Sequence, residues 1–292
     1  MNIRPSFATQ VDRTTRYLSD LKNQVERAAR VATNQLEVLD PSDAPGAWTQ
    51  LHALDDRLRD QSVWISNSRS VQAALGAAEG AIGQGTNLLT EARELTVQAA
   101  SETLTDDDRA QIASRIDGIR EAIIGLGNTT MSGRSLFAGT AFDSDAFDAS
   151  GAYLGNAAEG STLVADDRSV RSSLVGGDVF SDALATLADL SVALRSGAGS
   201  ADAAAAELAN LDTARETMVR ARQGIGFDLI DADDAAALAD SMSLTLQQSL
   251  NDRVAADPFE ALTAVSELQS TYEVALQVTA NVSSTTLFDF LR

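Results

Sequence analysis

Residues 7–32, FATQVDRTTRYLSDLKNQVERAARVA, place apolar or small side chains at Phe7, Val11, Thr14, Leu18, Leu21, Val25, Ala28 and Ala32. The steps alternate between four and three residues, which draws one seam along a helix with coiled-coil geometry. Such a seam leaves apolar surface in water until another helix covers it. The C-terminal segment repeats the pattern at Ala261, Val265, Leu268, Tyr272, Ala275, Thr279, Val282 and Thr286, with Leu262 and Leu276 widening the stripe. Both ends of the chain therefore present seams.

Each terminal helix is bounded by a break. In Asp40-Pro41-Ser42-Asp43-Ala44-Pro45-Gly46 the prolines remove backbone donors and restrict the residues before them, so a helix cannot run through. Asp257-Pro258-Phe259-Glu260 reads as an N-cap, a proline at the first helical position and a capping-box acid, so a new helix starts there. The breaks lie at similar distances from the two termini, as expected for two antiparallel helices of roughly 50–60 Å at about 1.5 Å per residue.

Between the ends, Val71, Leu75, Ala78, Ile82, Gly85, Leu89, Ala92, Thr96 and Ala99 keep the same spacing, after Leu51, Leu54 and Leu58, and predict one long helix. Gly83 and Gly85 each cost a helix about 1 kcal/mol relative to alanine, so a close neighbour is expected beside them. Thr105 followed by Asp106, Asp107 and Asp108 is a cap with acids in the first turn. Ile112, Ile116, Ile119, Ile123 and Leu126 then form the second arm of a hairpin. From about 133 to 180 the pattern changes to Gly, Ser and Asp with short alternating runs, Ser161 to Ala165 and Ser169 to Val175, which suits a small β-rich insert. Helix resumes with Leu184, Leu187, Leu190 and Leu194, pauses at Gly197-Ala198-Gly199-Ser200, and continues through Leu208, Leu211, Met218, Leu238, Met242, Leu246 and Leu250, with Gly224 and Gly226 as candidate kinks.

The expected fold is mainly α: an elongated antiparallel helical bundle or coiled coil built from both chain ends, with a small β-rich insert. It divides into a terminal coiled-coil domain (1–40 plus 257–292), a central helical bundle (41–135 plus 181–256) and the insert (136–180).

Composition narrows the function. Over 292 residues, 42 acids against 22 bases give a net charge of −20, which repels a phosphate backbone and argues against nucleic acid as a partner. There is no cysteine, so disulfides, thiolate catalysis and Cys-based metal sites are out. No apolar run has signal-peptide or membrane-spanning length, so the chain reads as soluble, uncleaved and without a membrane partner.

A single histidine, His52, lacks neighbours for a metal site or a catalytic triad and takes a surface or packing role. The one lysine, Lys22, marks a solvated helix face, and no phosphate-binding loop surrounds it. Gly80, Gly83 and Gly85 fall inside heptad periodicity rather than after a strand. The Asp143, Asp145 and Asp148 cluster lacks the calcium-loop glycine and glutamate, and Asp231, Asp233 and Asp234 read as solvated helix positions. No catalytic residue, cofactor or metal site is expected.

These residues carry a resemblance. Asp40-Pro41-Ser42-Asp43-Ala44-Pro45-Gly46-Ala47 is similar to the Pro-Ser-Asp-Asp-Pro segment that follows the first helix of bacterial flagellins. Leu268 to Ala280 and Leu287-Phe288-Asp289-Phe290-Leu291 look like that family's closing helix. Gly133-Arg134-Ser135-Leu136-Phe137-Ala138-Gly139-Thr140, with Ala146-Phe147, Tyr153, Gly155-Asn156 and Gly177-Asp178-Val179-Phe180, resembles the hook-filament junction branch, the hook-associated protein 3 family, with Ser135 where tyrosine is usual.

The resemblance implies a structural subunit joining hook to filament and self-associating in a ring or helical layer. It also implies contacts with hook-associated protein 1 and flagellin, an export chaperone, type III export without a cleaved signal peptide, and an extracellular place on the flagellum. The interface it implies comprises Phe7, Val11, Leu18, Leu21, Val25, Val265, Leu268, Tyr272, Leu276, Val282, Leu287 and Phe290. Flagellin itself, and a non-flagellar coiled-coil scaffold or secreted adhesin, are the alternatives.

Overall fold

The computed structural model describes residues 7–34, 45–196, 200–254 and 256–290. Six helices occupy most of them: α1 (Phe7–Asn34), α2 (Pro45–Ala99), α3 (Asp106–Gly127), α4 (Gly176–Arg195), α5 (Ser200–Val254) and α6 (Pro258–Phe290). Four short strands lie between α3 and α4: β1 (Thr130–Met131), β2 (Arg134–Ser135), β3 (Ser161–Ala165) and β4 (Arg168–Arg171). The chain groups into two units, 1–59 with 244–292, and 60–243. The first is discontinuous in sequence and the second is one continuous segment that contains the strand-bearing insert.

In the second unit every heptad position expected on α2 is buried, Val71, Leu75, Ala78, Ile82, Gly85, Leu89, Ala92, Thr96 and Ala99 alike. They join one core with Ile112, Ile116, Ile119 and Ile123 of α3, Leu184, Leu187, Leu190 and Leu194 of α4, and Leu211, Met218 and Ile225 of α5. Polar ties fix the helix order. Gln72 bonds Asp233, Arg222 bonds Glu79, and Arg93 bonds Asp212, so α2 and α5 run antiparallel. Arg195 bonds Asp117 at 2.6 Å, while Arg120 Nε donates to the Leu184 carbonyl, so α3 and α4 do the same. Partial burial opposes the charge of the Asp117 carboxylate, but hydrogen bonds from Arg195 and Ser191 outweigh it and hold the group below the ordinary carboxylate range.

The close neighbours expected at the α2 glycines are present. A Cβ on Gly85 would stand 3.3 Å from Met218 Sδ and 3.6 Å from Phe180 Cε1, and one on Gly83 would stand 3.6 Å from Arg222 Cζ. The helical stripe expected on α5 divides. Met218 and Leu246 are buried, but Leu238 and Met242 are exposed, because the inward row is Met218, Ile225, Ala232, Ala239 and Leu246, a strict seven-residue step. Gly224 and Gly226 lie within one continuous helix. A Cβ on Gly224 would meet Arg171 Nη2 at 3.2 Å, so this position serves the docking of the insert.

The turn from α2 to α3 uses two devices. Thr105 and Asp108 form a reciprocal capping box. Arg109, 7% exposed, turns back so that its Nε and Nη2 donate to the Ala99 and Ser101 carbonyls, at 3.2 and 2.9 Å, where α2 ends. Replacing Arg109 with Met leaves those acceptors without their donor in a buried place. The expected cost is about 1–3 kcal/mol of stability, read from chemical denaturation, whereas Thr105→Ala costs about 1 kcal/mol.

Candidate assembly interface

The first unit contains the pair formed by α1 and α6. Seam positions from both ends turn toward each other. Leu21 is buried at 5% exposure, and Thr14, Leu18, Val25, Ala28 and Ala32 are partly covered. On α6, Ala261 is buried, and Val265, Leu268, Tyr272, Ala275 and Thr279 are partly covered. Gln24, Arg27, Ala28 and Val31 share an open apolar groove of about 290 Å³ with Ala261, Ala264 and Leu268. The end of α1 therefore lies beside the start of α6, which makes the pair antiparallel. The start of α6 is fixed as expected: Asp257 Oδ1 accepts the Phe259 amide at 2.8 Å, and Pro258 is the first helical residue.

Of the expected interface residues, Leu18, Leu21, Val25, Val265, Leu268 and Tyr272 thus come together within one chain. Leu276 does not join them and is 42% exposed. Phe7, Val11, Val282, Leu287 and Phe290 belong to α1 or α6, but their side chains lie outside the described residues. The first proline break, from Asp40 to Ala44, also lies outside them. Left on the surface of the pair are Tyr17, Phe259, Leu262, Val274, Leu276 and Val278. Heptad reading missed most of these because they are off the seam; their signal was only apolar character at positions with no intrachain partner.

The residues that suggested the junction branch have a structural role in the insert. Thr130↔Ser135 and Met131↔Arg134 pair across a two-residue turn, Ser132-Gly133, whose φ angles of 52° and 77° match the twist of a tight hairpin. Phe137, Phe147 and Phe180 are buried at 0–1% exposure. Phe180 meets Phe137 edge-on at 5.0 Å and Phe147 at 6.0 Å, and Tyr153 tilts against Phe147 at 5.3 Å. The Tyr153 hydroxyl lies 3.0 Å from both the Phe137 and Asn156 carbonyls, and burial raises its pKa.

Gly139 has φ of 67°, and a Cβ there would lie 2.5 Å from the Asn156 carbonyl oxygen, so no other residue fits without movement. Asn128, at the end of α3, exchanges two 2.8 Å hydrogen bonds with the Phe147 backbone. Ser135 is buried with no partner for its hydroxyl.

The insert is less regular than its alternating runs suggest. β3 and β4 form one short antiparallel hairpin with an irregular register. The expected strand Ser169–Val175 stops at Arg171, because Leu174 and Val175 turn to pair with Leu136, Ala138 and Gly139. Arg171 ties the hairpin to α5 through Asp228, at 2.8 and 2.6 Å, and also holds Glu159 at 2.7 Å. Burial opposes its charge, but Glu159 and Asp228 outweigh that and raise its pKa. Arg168 adds a bond to Asp231, and Asn67 of α2 donates to the Leu163 carbonyl.

The candidate polar residues of the sequence stand apart from one another. His52 is exposed and edge-on to Trp48, 4.9 Å away, and Lys22 faces Glu26 on an exposed helix surface. Among the described residues no group of His, Asp and Glu could hold a metal ion, and no helix is long and apolar enough to cross a membrane.

Two paired terminal helices and an aromatic-cored insert between helical segments make a flagellin-like architecture. Residues 11–141 match the bacterial flagellin N-terminal helical region. The chain is 30% identical to flagellar hook-associated protein 3 of Escherichia coli over 235 residues, 80% of this chain and 71% of that one. It is 29% identical to the same protein of Salmonella typhimurium, over 74% of this chain and 65% of the relative. In structure it is similar to the FlgL protein of Xanthomonas campestris, with a TM-score of 0.62 at 20% identity over 68% of this chain and 99% of that one.

The chain belongs to the flagellar hook-associated protein 3 family. It is a structural protein of the hook-filament junction of the bacterial flagellum, and the flagellin and non-flagellar readings are not favoured.

Two outcomes test the geometry. Leu21→Asp should destabilise the α1–α6 pair by at least about 2 kcal/mol, whereas Leu276→Asp should stay within about 0.5 kcal/mol; hydrogen exchange in residues 14–34 and 258–280 reads both. Asp148 accepts the Ser150 and Ala152 amides and the Ser150 hydroxyl at 2.6–2.9 Å, which lowers its pKa. A carboxylate with a lowered folded pKa stabilises above its unfolded value, near pH 4, and loses that contribution as pH falls through the folded value. Protection of the Gly151 and Ala152 amides, measured against the intrinsic exchange rate at each pH, should therefore fall as pH drops below about 4, and Asp148→Asn should abolish that fall.

Proposed function

We propose that this chain joins hook to filament by self-associating through its first unit in a ring or helical layer, with hook-associated protein 1 on one side and flagellin on the other. In this reading it works without catalytic chemistry. It is held by a chaperone in the cytoplasm and exported to the outside of the cell without a cleaved signal peptide. The three-part division expected from sequence then assigns the terminal module to assembly, the central bundle to support and the insert to the outer surface.

The observation that carries the proposal is the arrangement of the α1–α6 pair. Its described seam positions are buried or partly covered within the chain, yet Tyr17, Phe259, Leu262, Val274, Leu276 and Val278 remain 42–82% exposed. Apolar area removed from water on assembly contributes about 25 cal/mol per Å², against the entropy of ordering the subunits. The roles therefore divide. Leu18, Leu21, Val25, Val265, Leu268 and Tyr272 shape the pair; Leu276 and the other exposed residues meet neighbours. Phe7, Val11, Val282, Leu287 and Phe290 belong to the same module by sequence.

A strain lacking the gene should keep its hooks, lose its filaments and release unpolymerised flagellin into the medium. Complementation with the Leu18→Asp, Leu21→Asp double variant should fail to restore attachment although the second unit still folds. Normal filaments in the deletion strain would overturn the proposal.

A further inference from the structure

The inward rows of α2 and α5 change character at the same height. On α2 a seven-residue step passes through Leu89, Ile82 and Leu75 and then through Ser68 and Gln61, all of them buried. On α5 the row Met218, Ile225, Ala232 and Ala239 gives up its large side chains in the same way. Gly85 packs against Met218, and the rise back along α2 from Gly85 to Ser68 equals the rise forward along α5 from Met218 to Ala235. In the antiparallel pair Ser68 is therefore level with Ala235. Its hydroxyl is fully buried and has no hydrogen-bond partner, which costs stability.

The large apolar side chains of this stretch lie outside the seam, where Val63, Phe227, Ile230, Leu238 and Met242 are exposed. The other helices of the unit stop short of it. Arg115 of α3 bonds Glu91 of α2, so the last turn of α3, ending at Gly127, is level with Glu79. α4 begins about one turn before Phe180, which lies beside Gly85, and runs away from Ser68.

What stands at this height is the β3–β4 hairpin. Asn67 of α2 donates to the Leu163 carbonyl at 2.8 Å, while Arg171 donates to Asp228 of α5 at 2.8 and 2.6 Å and Arg168 to Asp231 at 2.8 Å. One short hairpin thus holds both helices. Its Val164 and Val170 are buried and join the core that includes Val71, Ala232 and Ala235. The hairpin brings in the branched side chains that the two helices lack here. A two-stranded hairpin is marginally stable at best by itself, so its ordering and its docking are coupled.

We propose that the β3–β4 hairpin is a releasable strap that clasps α2 to α5 across their weakest section. Docked, it holds residues 61–71 against 228–239; released, it frees those two segments to separate while the large-residue core above Leu75 stays packed. The second unit thereby has a part that yields and a part that does not, and the strap sets which state the yielding part takes.

Hydrogen exchange along the full-length chain tests the coupling. Arg171→Met removes the bonds to Asp228 and Glu159. Exchange in 61–71 and 228–239 should rise about tenfold together with that in 161–171, while 78–95 and 208–222 keep their protection. The native chain has no cysteine, so Arg168→Cys and Asp231→Cys can be added to the same variant and joined with a short bismaleimide. Tethering the hairpin in this way should return 61–71 and 228–239 to within about twofold of the native rate, although Asp228 still lacks its arginine. A rise confined to 161–171, an equal rise along the whole chain, no rise, or a tether that restores only the hairpin would each overturn the strap.

Discussion

A helix with an apolar row every seven residues cannot leave that row in water, and in this chain each long row is covered by a segment distant in sequence. α1 is covered by α6, and the Val71 to Ala99 row of α2 lies against α3, α4 and α5. Because α4, α5 and α6 all come from the other side of the insert, the two halves of the chain must fold together. Small residues set the closeness of the packing: Gly85 admits Met218 and Phe180, and the inward row of α5 passes through Ala232 and Ala239. Few large aromatics are needed in such a core, in keeping with the 5% aromatic content.

The insert solves a different problem. With strands of only two to five residues it has no sheet large enough to hold its shape, so it depends on three fused devices. Phe137, Phe147 and Phe180 make a small aromatic core that joins the start of the insert to the first turns of α4. Gly139 and Gly176 let backbone pass where a Cβ would strike a carbonyl. Arg171 and Arg168 then tie the hairpin to α5. The motif that marks the junction family is thus largely the insert's own folding apparatus, which explains why Phe137, Gly139, Phe147, Tyr153 and Phe180 stand together in space although spread over more than forty residues.

Folding of the terminal pair leaves apolar surface over. The α1–α6 seam looked in sequence like the surface a neighbouring subunit would bury. Within the chain it is already engaged, and the surplus apolar residues lie to its sides. A subunit built this way can hold its paired ends together and still keep unsatisfied surface for a neighbour. The residues that form the pair and the apolar residues left exposed on it are therefore different sets.

Periodicity along the chain was enough to determine the helices, the caps at Thr105 and Asp257, the buried face of α2 and the mutual pairing of the ends, because each follows from local spacing and from the need to cover a stripe. It was also enough to place the insert. It could not determine which apolar residues would find partners: Leu238, Met242 and Leu276 satisfy a helical pattern as well as Leu246 or Leu268 do, and only the neighbouring helices decide that they stay outside. Nor could it show that Arg109 ends α2, that Arg171 docks the hairpin, or that Leu174 and Val175 leave β4 to pair with Leu136 and Ala138. Those outcomes depend on groups brought together from distant parts of the chain, and a one-dimensional pattern carries the demand for a partner without the partner's position.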